Sequence, residues 1–114
     1  MTAPKIDNKI LAYLTTSIQS THPHSTVILF GSYARGDAHI DSDLDLCVLM
    51  PELSQRRIDM NVALRELIGD ICYEHGLPFD IKLYTYDEFE EASRHQSSLQ
   101  HTIKTEGVTL SGRK

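Results

Sequence analysis

The stretch Leu44-Asp45-Leu46-Cys47-Val48-Leu49-Met50, closed by Pro51, constrains the fold of this chain more than any other. Its length is that of a strand, and Pro51 cannot donate to a sheet ladder. Its apolar character is nearly continuous, so both faces of that strand must be covered. A second run, Thr26 to Phe30, is β-branched and aromatic, ends at Gly31, and reads as another buried strand. Phe79-Asp80-Ile81-Lys82-Leu83-Tyr84 alternates and follows Pro78, which predicts a third.

Helical patterns fill the rest. Ile6, Ile10, Leu14 and Ile18 recur every four residues with Leu11 beside them, predicting an amphipathic helix from about Lys5 to Ser20. Ser54 is placed to cap a helix carrying Ile58, Val62, Leu64, Leu67, Ile68, Ile71 and Cys72 on a broad apolar face, with His75-Gly76 as its stop. Thr85 and Glu88 form a capping-box pattern. It predicts a helix from Tyr86 to Glu106, interrupted near Ser97-Ser98 and ended by Gly107 before Val108-Thr109-Leu110. The order helix, strand, strand, helix, strand, helix predicts an α/β fold: one domain over residues 1–114, a short mixed sheet with helices packed against it. The helical crossover makes the second and third strands parallel or separated, whereas the short link between the first two permits either direction.

A net charge of -5 sets the surface as a whole against a polyanionic backbone, so direct nucleic-acid binding is not expected. The apolar runs are too short to span a bilayer and the N-terminus lacks a signal-peptide core, which excludes a membrane role and predicts a cytoplasmic protein. Cys47 and Cys72 lie in apolar stretches without CxxC spacing, as reduced core residues do.

The chemistry concentrates in Phe30-Gly31-Ser32-Tyr33-Ala34-Arg35-Gly36-Asp37-Ala38-His39-Ile40-Asp41-Ser42-Asp43-Leu44-Asp45-Leu46. Asp43 and Asp45 are two apart at a strand start, so both carboxylates point to one side while Leu44 and Leu46 point into the core. Two adjacent like charges call for a counter-ion, and oxygen-only donors at this spacing suit Mg²⁺ or Mn²⁺ rather than zinc. The competing explanation is a solvated turn before a strand. Gly31-Ser32 directly follows the first strand, where glycine permits close approach of a ligand and a helix start would aim N–H groups at phosphate oxygens. A plain strand-to-helix turn capped by Ser32 explains the same residues. Arg35 is open between phosphate and an ion pair with Asp37 or Asp41. Asp80 stands in an otherwise apolar strand, where an unpartnered carboxylate is costly. On a strand beside the one bearing Asp43 and Asp45 it would complete a three-carboxylate cluster for two metals and a proton acceptor; at an exposed edge it would be ordinary.

Gly-Ser, ten residues, then Asp-x-Asp, with a later aspartate on a strand, resembles the polymerase-β-type nucleotidyltransferase superfamily. GSYARGD and SDLDL with their flanking strands are closest to its minimal nucleotidyltransferases, and the likeness extends over nearly the whole chain. The resemblance implies a single nucleotidyltransferase-type domain in which Gly31 and Ser32, with Ser42 grouped beside them, bind the nucleotide. It implies that Asp43, Asp45 and Asp80 form a two-metal catalytic site for Mg²⁺ or Mn²⁺, with Asp80 also assisting deprotonation of the attacking hydroxyl. The donor it implies is a nucleoside triphosphate, by likeness ATP. Members of this branch act as antitoxins that adenylylate a tyrosine of an HEPN-type ribonuclease toxin. Larger relatives carry an added helical acceptor-binding domain, so the expected acceptor site lies on a partner, a homo-oligomer or an exposed cleft. Transfer to a small molecule such as an aminoglycoside and non-catalytic occlusion of a toxin are the alternatives. None of the six histidines has metal-ligand spacing. His39 lies within the motif loop, where a nucleotide contact competes with simple exposure, and Tyr84 and Tyr86 read as packing residues rather than base-stacking ones.

Overall fold

The computed structural model describes residues 6–111. Its elements run α1 (Asn8–Thr21), β1 (Thr26–Phe30), α2 (Ser32–Arg35), β2 (Leu44–Met50), α3 (Arg57–Glu74), β3 (Phe79–Thr85), α4 (Tyr86–Ser93), α5 (Leu99–Glu106) and β4 (Val108–Ser111). The four strands form one mixed sheet in the order β3-β2-β1-β4. β1 pairs antiparallel with β2 and β4, whereas β2 and β3 are parallel across the α3 crossover.

The near-continuous apolarity of β2 is explained by its central place between two cores. Leu44, Leu46, Val48 and Met50 join Val27, Leu29, Ile81 and Leu83 against Leu14 and Ile18 of α1 and Leu64 and Ile68 of α3. Cys47 and Leu49 face the other way and pack with Ile28, Phe30, Phe89 and Ile103, beneath α4 and α5. Fully burying one such side chain contributes about 1.5–3 kcal/mol, and period-two alternation assigns each strand residue to one core or the other. Leu44 and Leu46 are completely buried, as their alternation with the aspartates requires.

Several boundaries differ from expectation. The first helix begins at Asn8, because the Asp7 carboxylate accepts the Lys9 N–H at 2.9 Å and caps it there; Lys5, its expected start, lies outside the described residues. Ser54 does not cap α3, which starts at Arg57 after Arg56 with no side-chain cap. The apolar face of α3 is narrower than its composition suggests. Met60, Leu64, Ile68 and Cys72, one per turn, are buried, while Ile58, Val62 and Leu67 are exposed. Ile71, partly buried, flanks that row and packs against the same core, so α3 buries a narrow stripe and leaves its other apolar positions to solvent. The interruption expected near Ser97-Ser98 is present and divides the last helix in two: α4 ends at Ser93, and Ser98 caps α5 by accepting the His101 N–H at 3.0 Å. The Thr85–Glu88 capping box is formed in both directions. Val108-Thr109-Leu110, which the helix-and-strand order above does not include, is part of β4, which pairs with β1.

β3 is an edge strand, and its outer carbonyls are covered from α3. The Arg57 guanidinium donates to Leu83 O at 2.7 Å and the Asn61 amide to Ile81 O at 3.0 Å. Occupying those acceptors removes a template for pairing with another strand.

Candidate active site

The candidate residues meet at one end of the sheet, where β1 ends and β2 and β3 begin. Gly31 follows β1 with φ 78 and ψ -158, a combination open essentially to glycine. A Cβ there would collide with the Asp45 carboxylate and lie 3.1 Å from its Cγ. Glycine is therefore required twice, by its backbone angles and by the closeness of Asp45. Gly31 also occupies the cap position of α2 without a side-chain bond, so Ser32 is the first helical residue and not the cap. The short turn closes at Gly36, φ 82, whose N–H donates to Ser32 O at 3.0 Å.

Across the sheet, Asp45 is the register partner of Phe30 on β1 and of Asp80 on β3. Asp45 and Asp80 thus sit side by side on adjacent strands, and Asp43, exposed, precedes them by one strand repeat on the same side. Burial pushes the Asp45 carboxyl above its ordinary value; the negative charges of Asp43 and Asp80 push it further, and Lys82 and Arg35 only partly oppose them. Asp80 behaves oppositely. Burial alone would raise it, but hydrogen bonds from Arg65 and Lys82, with the positive charge of both, hold it below the usual carboxylate range. Arg65 Nη2 donates to Asp80 Oδ1, and Lys82 Nζ lies 3.3 Å from Asp80 Oδ2.

Arg35, open between phosphate and an acid, pairs with Asp37 at 3.2 Å and with Glu106 of α5 at 3.6 Å. It does not pair with Asp41. Ser42 is buried, and its hydroxyl accepts the His39 N–H at 2.9 Å while its own N–H donates to His39 O at 2.8 Å, so it closes the loop that delivers Asp43. His39 itself is exposed, and its Nδ1 accepts the Asp41 N–H at 3.3 Å. Tyr84 and Tyr86 are half-buried against the second core, with the Tyr86 hydroxyl 2.7 Å from the Thr26 hydroxyl.

The donors Asp43, Asp45 and Asp80 are all carboxylate oxygens, a set that fits a hard divalent cation, and the raised Asp45 carboxyl marks surplus negative charge that such a cation would relieve. Among the described residues no three histidine, cysteine or acidic side chains are drawn together closely enough to hold a metal ion, and Asp80 is paired with Arg65 and Lys82. The donor chemistry fits; at least one Asp80 oxygen has to exchange its partner to use it. A cavity of about 300 Å³ lies at the opposite end of the sheet, lined by His22, His24, Met50 and Met60 among others, remote from these carboxylates.

The model of the family described as "Nucleotidyltransferase domain" matches residues 11–105. The chain belongs to that family. Among curated proteins it is 46% identical over 52 residues to MJ1305, a provisionally named protein adenylyltransferase of Methanocaldococcus jannaschii; that match covers 46% of this chain and 35% of the relative. It is 40% identical over 73 residues to MJ0141, another provisionally named protein adenylyltransferase of the same organism, covering 56% of this chain and 70% of that one. The chain thus spans only about a third of the first relative's length. Among solved structures, a toxin-antitoxin complex with AMP-PNP superposes with a TM-score of 0.63 at 22% identity, covering 96% of this chain and 76% of that one. A mutant of the toxin-antitoxin pair MntA-HpeT gives 0.61 at 20% identity over 96% and 75%. A provisionally named nucleotidyltransferase from Sulfolobus solfataricus gives 0.57 at 17% over 90% and 77%. At these identities the structural likeness shows a shared fold.

Sequence reasoning missed Arg65, Lys82 and Asn61. Lys82 was within reach, since a residue two beyond Asp80 on a strand shares its face. Arg65 and Asn61 come from α3, and nothing in the pattern of a helix says which neighbour its polar flank meets.

Proposed function

We propose that this nucleotidyltransferase moves AMP from ATP to a tyrosine hydroxyl of an HEPN-type toxin and thereby acts as its antitoxin, in the cytoplasm. The observation that carries the chemical part is the Gly31–Asp45–Asp80 arrangement: a glycine pressed against one carboxylate, with a second carboxylate in register on the next strand. Gly31 and Ser32 leave the turn after β1 open to triphosphate oxygens, since the first-turn N–H groups of a helix have no partners within it. Asp43, Asp45 and Asp80 would hold Mg²⁺ or Mn²⁺, which when bound offsets charge on the entering and leaving oxygens of an in-line displacement. Asp80 would assist deprotonation of the attacking hydroxyl as the new ester bond forms at the α-phosphorus and pyrophosphate leaves; its pairing with Arg65 and Lys82 lowers its basicity, so that role requires at least one of those partners to let go.

The acceptor part rests on the names of the relatives, protein adenylyltransferases, and on the toxin-antitoxin setting of the structural neighbours, one of them with the ATP analogue AMP-PNP. The test is co-expression with an HEPN-type toxin. Neutralisation should be lost in Asp43→Asn and Asp80→Asn proteins that still bind the toxin; neutralisation that survives both would point to occlusion instead.

A further inference from the structure

Asp80 is gripped at both oxygens, and the two grips differ in kind. Arg65 reaches round the edge strand β3 from α3. Its Nε donates to Asn61 Oδ1 at 2.6 Å, its Cζ lies 5.9 Å from the centre of the Phe79 ring, and its Nη2 donates to Asp80 Oδ1. Asn61 is in turn anchored by its amide to Ile81 O at 3.0 Å, so the guanidinium is fixed on three sides before it meets the carboxylate. Among the described residues Lys82 forms one ion pair, 3.3 Å to Asp80 Oδ2, from a half-exposed flexible stem.

We infer that Arg65, braced by Asn61, is the positioning residue that fixes the orientation of Asp80, and that Lys82 is an exchangeable counter-ion which a divalent cation replaces at Oδ2. A planar fork tied at Nε and at Nη2 can hold a carboxylate in one rotamer while leaving its second oxygen available. A lone ammonium on one oxygen neutralises without fixing, and a cation of higher charge beside Asp45 displaces it. This rests on the reading of Asp43, Asp45 and Asp80 as cation-binding carboxylates. Oδ1 serves position and Oδ2 serves the cation, which accounts for why an aspartate meant for metal binding is found paired with two basic side chains.

Mn²⁺ alone, titrated against the full chain by calorimetry or by the spin-resonance signal of the unbound ion, separates the two roles. Removing one positive charge beside a divalent cation at a half-exposed site strengthens binding by about fivefold, so Lys82→Met should bind Mn²⁺ that much more tightly. Asn61→Ala leaves every charge in place and should weaken Mn²⁺ binding about threefold or more by loosening Arg65. Arg65→Lys, which keeps the charge and loses the fork, should weaken it likewise. Unchanged or weaker binding in Lys82→Met overturns the exchange, and full affinity in both Asn61→Ala and Arg65→Lys overturns the positioning role. Mn²⁺ binding that is abolished by Asp45→Asn but indifferent to these variants would sink the inference alone; no binding by the unaltered protein would sink the cation-site reading with it.

Discussion

Replacing Gly31 with alanine tests the tightest contact in the site, and Gly69→Ala is its natural control. At Gly31 the backbone angles, φ 78 and ψ -158, are strained for any residue with a side chain by about 1–3 kcal/mol. The new methyl would also meet the Asp45 carboxylate, with Cγ at 3.1 Å and Cβ at 3.3 Å, and moving that half-buried group adds on the order of 1 kcal/mol. The sum, about 2–4 kcal/mol, is a large share of the 5–15 kcal/mol that holds a typical domain together. It corresponds to a fall in melting temperature of roughly 10–20 °C for a chain of this size. Gly69 lies inside α3 with nothing within 4 Å of the position a Cβ would take. Alanine there gains about 0.5–1 kcal/mol from helix propensity and should raise the melting temperature by roughly 3–5 °C. Thermal denaturation followed by circular dichroism or calorimetry gives both values. A Gly31→Ala protein melting within about 2 °C of the parent would refute the reasoning from backbone strain and close approach, and unimpaired nucleotide transfer by that protein would detach Gly31 from the site.

Asp45 and Asp80 should have opposite effects on stability. The folded-state carboxyl of Asp45 is raised, so its ionised form costs stability at neutral pH; Asp45→Asn should melt higher than the parent at pH 7, with the difference vanishing as pH falls below about 3.8. The Asp80 carboxyl is depressed, so its contribution is present above the unfolded value and is lost as pH falls through the folded one; Asp80→Asn should melt lower at pH 7 and match the parent in acid. Melts across pH 2 to 8, an interval chosen to bracket carboxylate titration of roughly 2–6, check both signs. Burial pushes the Cys47 thiol up to about 12 and Cys72 up to about 11, so neither should react with a thiol reagent near neutral pH in the native protein, and both should react in denaturant. Thr85→Ala removes one half of the capping box of α4 and should destabilise by about 1 kcal/mol in denaturant titrations.

The three sheet segments that carry the site were readable because their signals are local. An apolar run ending at Pro51 marks β2, one ending at Gly31 marks β1, and period two sets Asp43 and Asp45 on one side with Leu44 and Leu46 on the other. The helical crossover makes β2 and β3 parallel or separated; that they pair, in the register that makes Asp45 and Asp80 neighbours, is a tertiary fact. β4 escaped notice because a four-residue edge strand carries too little pattern to stand apart from a helix tail. Ile58, Val62 and Leu67 have the hydrophobicity of core residues yet are exposed, because which flank of α3 faces the sheet is set by tertiary packing. Arg65, one counter-ion of Asp80, was hidden for a related reason: an arginine fifteen positions away, on a helix, meets it only through folding.

The most direct test of the central claim is to incubate the purified protein with Mg²⁺, an HEPN-type toxin partner and ATP labelled at either the α- or the γ-phosphate. Label on the partner from α-labelled ATP alone, lost in Asp43→Asn and Asp80→Asn proteins that remain folded, is the predicted result. Label from the γ-phosphate, or label from the α-phosphate that persists in both variants, would contradict nucleotidyl transfer at this site.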